Sequence, residues 1–247
     1  MARFLLLHAF PFTGSMWDGV AARLRAEGQD VTAPDLRGFG SAPLGKRAPA
    51  LSVLVDDMLA VLGEQPAVVV GCSMGGYVAL GIAARRPDLV SALGLVDTKA
   101  TADPEPARIH RKRIAELAET GGDWSAGMVD GLLGETTRRT RADVVTTVEK
   151  ALSDASPETV AWAQRAMSAR SDTRDSLALL TAPIAVVMGE EDSMSPRDEQ
   201  NLILEVVPHA TWVPVSGAGH LSPLEAPDTV ASALVNLVVV DERIEID

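Results

Sequence analysis

Hydrophobic residues come in short, nearly unbroken runs, separated by longer stretches in which apolar positions recur every three or four residues. The runs are Phe4 to His8, Asp30 to Ala33, Ala67 to Cys72, Ala92 to Val96, Ile184 to Met188 and Thr211 to Val215, most of them rich in Val, Leu or Ile. Short runs without alternation, bounded by turn residues, suit strands buried on both faces, as in a parallel sheet. Between them, helical spacing fits Met16 to Ala26, Leu51 to Leu62, Met74 to Arg86, Arg197 to Val206 and Leu224 to Val238. Ser195 before Pro196 reads as an N-cap with proline at the first helical position. Strands alternating with helices predict an α/β fold, a mainly parallel sheet of about six strands flanked by helices. No internal period repeats as a solenoid or propeller requires.

The alternation breaks once, between Val96 and Pro183. Helices are expected there at Pro106 to Glu119, Ser125 to Leu133, Ala142 to Leu152 and Pro157 to Ala169, divided by Gly121-Gly122, Gly134 and Ser156-Pro157. An all-helical stretch inserted after a strand lies beyond the carboxyl ends of the sheet, where α/β folds bind ligands. Residues 98–181 therefore read as a helical lid on a core made of 1–97 and 182–247.

Composition narrows the partners. The length of 247 residues suits one compact domain, and no apolar run approaches the roughly 18 residues of a membrane span. Lys and Arg number 22 against 34 Asp and Glu, a formal charge of −12 that repels phosphate backbones and anionic headgroups. Neither nucleic acid nor membrane is expected as a partner. Cys72 is the one cysteine, so neither an intramolecular disulfide nor a cysteine-based zinc site is available. The start MARFLLLHAFPF has too short an apolar run for a signal peptide, and a cytoplasmic location is expected.

The strongest chemical signal is Gly71-Cys72-Ser73-Met74-Gly75-Gly76, between the run AVVV and an amphipathic helix. It matches G-x-S-x-G in the strand–turn–helix setting that pattern needs: the sharp reversal strains the serine, and the glycines remove side chains that would collide. A serine hydroxyl also requires a base and a group to orient that base. Of four histidines, His220 in SGAGH follows the last strand at its carboxyl end. His209 precedes a strand, on the opposite face, and His110 is in a polar helix. His8 ends the first strand, where a buried, hydrogen-bonded structural role is expected. For the acid, Asp192 follows PIAVVM in GEEDSMSP. Asp97 also ends a strand and is the alternative, and Glu190 and Glu191 read as solvated loop charges. The order Ser73, Asp192, His220 is the one expected of α/β-hydrolases. A tetrahedral oxyanion would take the N–H of Met74 at the helix start and that of Phe10 in HAFPF.

HAFPF followed by Met16-Trp17, then APDLRGFG, GCSMGG, GEEDSMSP and GAGH together resemble the α/β-hydrolase superfamily, in particular its small esterases, 3-oxoadipate enol-lactonase-like enzymes and cofactor-free perhydrolases. The resemblance spans nearly the whole chain and is weakest in the lid. It implies Ser73 as nucleophile, His220 as base, Asp192 as acid, and an oxyanion hole from Phe10 and Met74. Many relatives have His-Gly where this chain has His8-Ala9, and many carry a β-hairpin ahead of the first parallel strand.

All four phenylalanines fall in the first forty residues, and Trp124 and Trp162 fall in the lid. An apolar pocket is expected from Phe12, Trp124, Met128, Trp162 and Met167, although Trp and Met on such helices also serve as packing. No P-loop and no G-x-G-x-x-G follows the first strand, and no cofactor or metal is expected. The expected activity is hydrolysis of a small ester or lactone. Hydroxynitrile-lyase or perhydrolase chemistry, or a slow-turnover receptor, stands as the alternative, and the oligomeric state is left open.

Overall fold

A computed structural model describes residues 1–239. The final eight positions of the expected core range, 240–247, lie outside the described residues. Strands β1 (Arg3–Leu7), β2 (Asp30–Thr32), β3 (Ala67–Cys72), β4 (Val90–Val96), β5 (Ile184–Gly189) and β6 (Thr211–Val215) form one sheet. Its order is β2-β1-β3-β4-β5-β6, and every pairing is parallel. The six expected runs are these six strands. Helices α1 (Asp18–Ala26), α2 (Leu51–Leu62) and α3 (Met74–Arg85) connect the first four. Between β4 and β5 lie α4 (Glu105–Glu119), α5 (Met128–Leu132), α6 (Glu135–Thr140), α7 (Ala142–Asp154), α8 (Pro157–Ser168) and α9 (Arg174–Leu177). Helix α10 (Arg197–Val206) follows β5, and α11 (Ser222–Glu225) and α12 (Pro227–Val239) follow β6.

Side-chain alternation along the strands divides the core into two layers. Leu5, Leu7, Val69, Leu93 and Leu95 face Leu54 and Met58 of α2, Val78 and Ile82 of α3 and Ile203 of α10. Phe4, Leu6, Val68, Val70 and Cys72 face Val20 and Leu24 of α1 and Val230 and Leu234 of α12. Both strand faces are covered, which is why these segments carry no polar alternation. The helices between β4 and β5 straddle the two layers. Ile114 and Ala118 of α4 with Val160 and Ala163 of α8 join the first, and Leu132, Val144, Val148 and Leu152 of α5 and α7 join the second. Trp124 and Met128 pack against both. Among the described residues, no helix is long and apolar enough to cross a membrane.

Several expected boundaries differ for identifiable reasons. The expected helix from Met16 begins as a 3-10 turn, Gly14–Trp17, because Thr13 and Asp35 take the N–H groups of Ser15 and Gly14. The expected helix from Leu224 to Val238 is two helices. Pro227 has no N–H to continue α11, and Ala226 turns out of helical geometry at φ −142°, ψ 61°. Expected Ser125 to Leu133 shortens to α5, which starts after Gly127 in the left-handed region at φ 72°. Helices α6 and α9 were not foreseen, since ETTRRT and RDSL have no apolar period.

Strand β1 pairs with β2 on one side and β3 on the other, so the loops leaving β1 and β3 diverge and open a crevice at this switch point. His8 holds the first of these loops. Its Nδ1–H donates to Ala9 O at 2.9 Å, and its Nε2 accepts from Leu36 N–H at 2.8 Å. The ring is fully buried and lies edge-on to Phe39, the structural role expected of it. Burial lowers its pKa from 6.5 to about 4, against opposing contributions from the Ala9 hydrogen bond and Asp35. Between those values the unfolded chain binds a proton that the folded chain refuses. The His8 contribution to stability is therefore complete above pH 6.5 and lost on acidification toward pH 4, amounting to about 3 kcal/mol. Urea unfolding at pH 7 and pH 4.5 should show this acid loss in the wild type and a shallower one in His8→Gln.

Candidate active site

Strand β3 reverses into α3 through Ser73, whose backbone sits at φ 50°, ψ −113°. This is a left-handed conformation that costs a non-glycine residue about 1–3 kcal/mol. The turn survives because its neighbours are glycines. A Cβ at Gly71 would lie 2.2 Å from Gly75 O, one at Gly75 would lie 2.1 Å from Leu7 O, and one at Gly76 would lie 2.3 Å from Thr98 Oγ1. Hydrogen bonds then hold the strained unit on both sides. Ser73 N–H donates to Val96 O at 3.0 Å, and Ser73 O accepts from Thr98 Oγ1 at 2.8 Å. The side chain of Ser73 emerges at the carboxyl end of β3, while Cys72 points into the opposite core layer.

The loop after β6 brings His220 to this serine. Nε2 lies 2.8 Å from Ser73 Oγ, and Nδ1 lies 2.9 Å from Asp192 Oδ2. A carboxylate accepts only, so Nδ1 carries the proton and Nε2 is left to accept from the Ser73 hydroxyl. The other oxygen of Asp192 accepts from the N–H groups of Met194 at 2.8 Å and Ser195 at 3.0 Å. Burial by itself would depress the imidazolium of His220, but the charge and hydrogen bond of Asp192, with Asp97 behind, outweigh it and push the pKa up. Burial likewise works against the charge on Asp192. The His220 ring and the two loop N–H groups prevail and hold its carboxyl below the ordinary range.

Asp97 is brought close to the pair but not onto the imidazole. Its Oδ1 accepts from Gly189 N–H at 2.8 Å, and its Oδ2 accepts from Ser222 N–H at 2.9 Å and Ser222 Oγ at 2.6 Å. It thus ties the end of β5 to the segment after His220. Its own backbone is left-handed at φ 47°. Full burial, together with the neighbouring Asp192 charge, drives its pKa upward.

Ser195 departs from the expected cap. Pro196 is the residue preceding α10, and the Ser195 hydroxyl instead donates to Asp97 O at 3.0 Å and lies 3.2 Å from His220 Nδ1. Gln200 underpins this region, donating from Nε2 to Thr98 O and to Ser195 O, each at 2.9 Å. Both were missed as members of the site. For Ser195 the Ser-Pro pair pointed to a different role, and Gln200 sits in an ordinary helical repeat. Glu191 is exposed, as expected of a loop charge, yet its carboxylate accepts from Thr136 N–H at 2.9 Å and from Thr136 Oγ1 at 2.5 Å. His110 and His209 are exposed, and neither belongs to the cluster.

The loop after β1 carries Phe10, whose ring packs edge-on between Phe39 and Trp124, with centroids 6.1 Å and 6.0 Å away. Met74, at the first position of α3, has no carbonyl one helical turn back to receive its N–H. Phe12 lines a cavity of about 510 Å³ with Met16, Phe39 and Ala151 and Ala155 of the insertion. Trp124 and Met128 are partly buried. Trp162 and Met167 lie in the packing of α8 instead. The indole N–H of Trp162 donates to Arg47 O at 2.8 Å, and Met167 Sδ accepts from Arg111 at 3.3 Å. Among the described residues, no three His, Cys, Asp or Glu side chains are grouped as metal ligands.

A parallel α/β sheet, a strand–serine–helix reversal and a helical insertion after the fourth strand define the class, an α/β hydrolase. More particularly, the chain belongs to the alpha/beta hydrolase family, whose profile matches residues 4–233. It is 26% identical to a pimeloyl-[acyl-carrier protein] methyl ester esterase of Aromatoleum aromaticum over 95% of this chain and 97% of that one. A lipase, LipV, of Mycobacterium tuberculosis is 37% identical, over only 43% of this chain and 41% of its own length. The solved structure of a thermophilic esterase from Thermogutta terrifontis, with malate bound, superposes with a TM-score of 0.91 at 31% identity, covering 97% of this chain and 90% of that one. These relatives support hydrolysis of an ester.

The reversal at Ser73 tolerates no side chain at its closest approach. Gly75→Ala should destabilise the fold by at least about 2 kcal/mol, since the added carbon meets backbone rather than a yielding side chain. Denaturant midpoints compared with those of Gly131→Ala, where φ is not positive and the added carbon meets nothing nearer than 3.8 Å, would measure it.

Proposed function

We propose that the protein is a serine hydrolase that cleaves a carboxylic ester or lactone of a small, largely apolar substrate through an acyl-enzyme. The observation that carries this reading is the continuous chain of hydrogen bonds from Ser73 Oγ through both nitrogens of His220 to Asp192, at 2.8 Å and 2.9 Å. As Ser73 Oγ attacks the carbonyl carbon, His220 Nε2 takes its proton. The carboxylate of Asp192 stabilises the resulting imidazolium and keeps the ring in one tautomer. The N–H groups of Phe10 and Met74 receive the oxyanion, and Met74 also lies at the positive end of α3. Collapse of the tetrahedral species expels the alcohol, which leaves with the proton from Nε2. Water then repeats the sequence against the acyl-enzyme, activated by the same nitrogen.

The insertion acts as the lid of residues 98–181, closing over an acyl or alcohol site bounded by Phe12, Phe39 and Met16. The lining mixes apolar residues with Thr13, Thr147, Lys150, Asp154 and Ser156, and its apolar members Phe12, Met16 and Phe39 are what support a largely apolar substrate. Outside this cavity, Trp124 packs edge-on against Phe10. The names of the relatives support the ester as the bond cleaved.

Ser73→Ala should abolish turnover of p-nitrophenyl acetate while leaving the thermal melt within a few degrees of the wild type. Asp192→Asn should lower kcat about 10³-fold or more, because the imidazole loses both its tautomer and its counter-charge. Asp97→Asn should cost less activity and more stability, since it serves three backbone and hydroxyl donors and not the ring. Steady-state kinetics beside urea unfolding separates the two. The base works only when neutral, and its imidazolium is favoured by Asp192. The acid limb of kcat/KM should therefore lie above the ordinary histidine value and move to lower pH in Asp192→Asn.

A further inference from the structure

Glu225 has no role in the reaction just described, yet its placement is unusual. It stands at the end of the single-turn helix α11, buried, with its carboxylate enclosed by backbone donors. Oε1 accepts from Gly219 N–H at 2.9 Å and Leu221 N–H at 3.1 Å. Oε2 accepts from Gly219 N–H at 2.9 Å and from Gly134 N–H, also at 2.9 Å. One carboxylate thus grips the residues on both sides of His220 and, with its second oxygen, the backbone between α5 and α6.

Burying an ionised carboxylate is costly unless its lone pairs are occupied, and charge-assisted bonds to N–H groups are what offset that cost. The three donors here come from two separate parts of the chain. The backbones meet without side chains between them. A Cβ on Gly219 would lie 2.2 Å from Gly134 N, and one on Gly189 would lie 2.0 Å from Gly219 O. The loop bearing His220 is therefore clasped between the end of β5 and the insertion, and Glu225 is the side chain that bonds to the loop and the insertion together. A displacement of about 1 Å at this loop would break the geometry at both ring nitrogens at once.

We infer that Glu225 is a positioning residue for His220, and that its second oxygen transmits the position of the insertion at Gly134 to the base. The inference rests on the reading of His220 as the general base. Glu225→Gln and Glu225→Ala divide it into parts. A glutamine whose carbonyl faces Gly219 and Leu221 turns its NH₂ toward the Gly134 N–H and gives up the second of the two Gly219 contacts, releasing the insertion while each loop N–H keeps one acceptor. Alanine releases both.

With p-nitrophenyl acetate as the probe, Glu225→Ala should lower kcat by at least about 10-fold with KM changed less than about threefold, as expected when alignment rather than binding is lost. Glu225→Gln should lose less. The acid limb of kcat/KM should move to lower pH in Glu225→Ala, because a loosened ring is held less firmly against Asp192. The other charged groups acting on that ring, Asp97 and Lys99, remain in both variants. Amide hydrogen exchange should rise at residues 217–222 and 130–136 in Glu225→Ala, and at 130–136 alone in Glu225→Gln. A folded Glu225→Ala with kcat within twofold of the wild type and an unmoved limb would overturn the inference. So would a loss confined to KM, or exchange raised evenly over the whole chain. Should alanine fail to fold, glutamine decides: unchanged kcat with unchanged exchange at 130–136 is the contrary result. Turnover that survives Ser73→Ala would sink the proposed reaction instead, while the exchange pattern would still report on Glu225.

Discussion

An imidazole engaged on both edges, 2.8 Å from a hydroxyl and 2.9 Å from a carboxylate, tolerates little relative movement of the three strands that carry these groups. Ser73 belongs to the end of β3, Asp192 to the end of β5 and His220 to the end of β6. In the sheet, β4 separates β3 from β5. The distances at the ring are consequently fixed by the register of four parallel strands, and much of the polar interior serves to hold that register at its carboxyl edge.

Asp97 illustrates how. It ends the intervening strand, β4, and its carboxylate bonds to Gly189 at the end of β5 and to Ser222 beyond the histidine. Its carbonyl receives the hydroxyl of Ser195, and Gln200 spans Thr98 and Ser195. One member is not satisfied, since Gln200 Oε1 is buried without a hydrogen-bond partner, and such an unpaired acceptor costs about as much as one or two good bonds return. The two non-glycine residues with left-handed backbones in the described chain, Ser73 and Asp97, both lie in this network. Strain is concentrated where the surrounding bonds are densest.

How much of this the amino-acid order revealed depends on the range of the interaction. The reversal at Ser73 was legible because its causes are local: a buried strand, two glycines at fixed offsets and a helix. Strands β1, β3, β4 and β5 were legible because burial on both faces leaves a nearly unbroken apolar run, whereas the partly exposed edge strands β2 and β6 showed only as short runs containing valine between helices. Proline at 227 marked a break that helical periodicity across Leu224 to Val238 had hidden. Ser195 and Asp97 were harder. Ser-Pro has one reading as a helix start and another as a bent loop, and a carboxylate at a strand end looks the same whether it faces a histidine or a neighbouring backbone. Glu225 gave no local sign at all, since its partners are N–H groups that every residue but proline possesses. The short helices α6 and α9 left no periodic trace because they bury too little apolar surface to need one.

The meeting of Gly134 with the histidine loop has a bearing on how such a protein diversifies. Main chain meets main chain there, and the side chains that join the seam are few: Glu225, the Glu191–Thr136 pair and Thr137, which donates to Gly217 O. A chimera importing a foreign roof would have to keep the threonines at 136 and 137 and glycine at 134, where any larger residue would press its first carbon to 2.6 Å from Glu191 Oε2 and 2.9 Å from Gly219 N. What a graft must conserve is thus a short stretch around residue 134, and the remaining helices are free of that constraint.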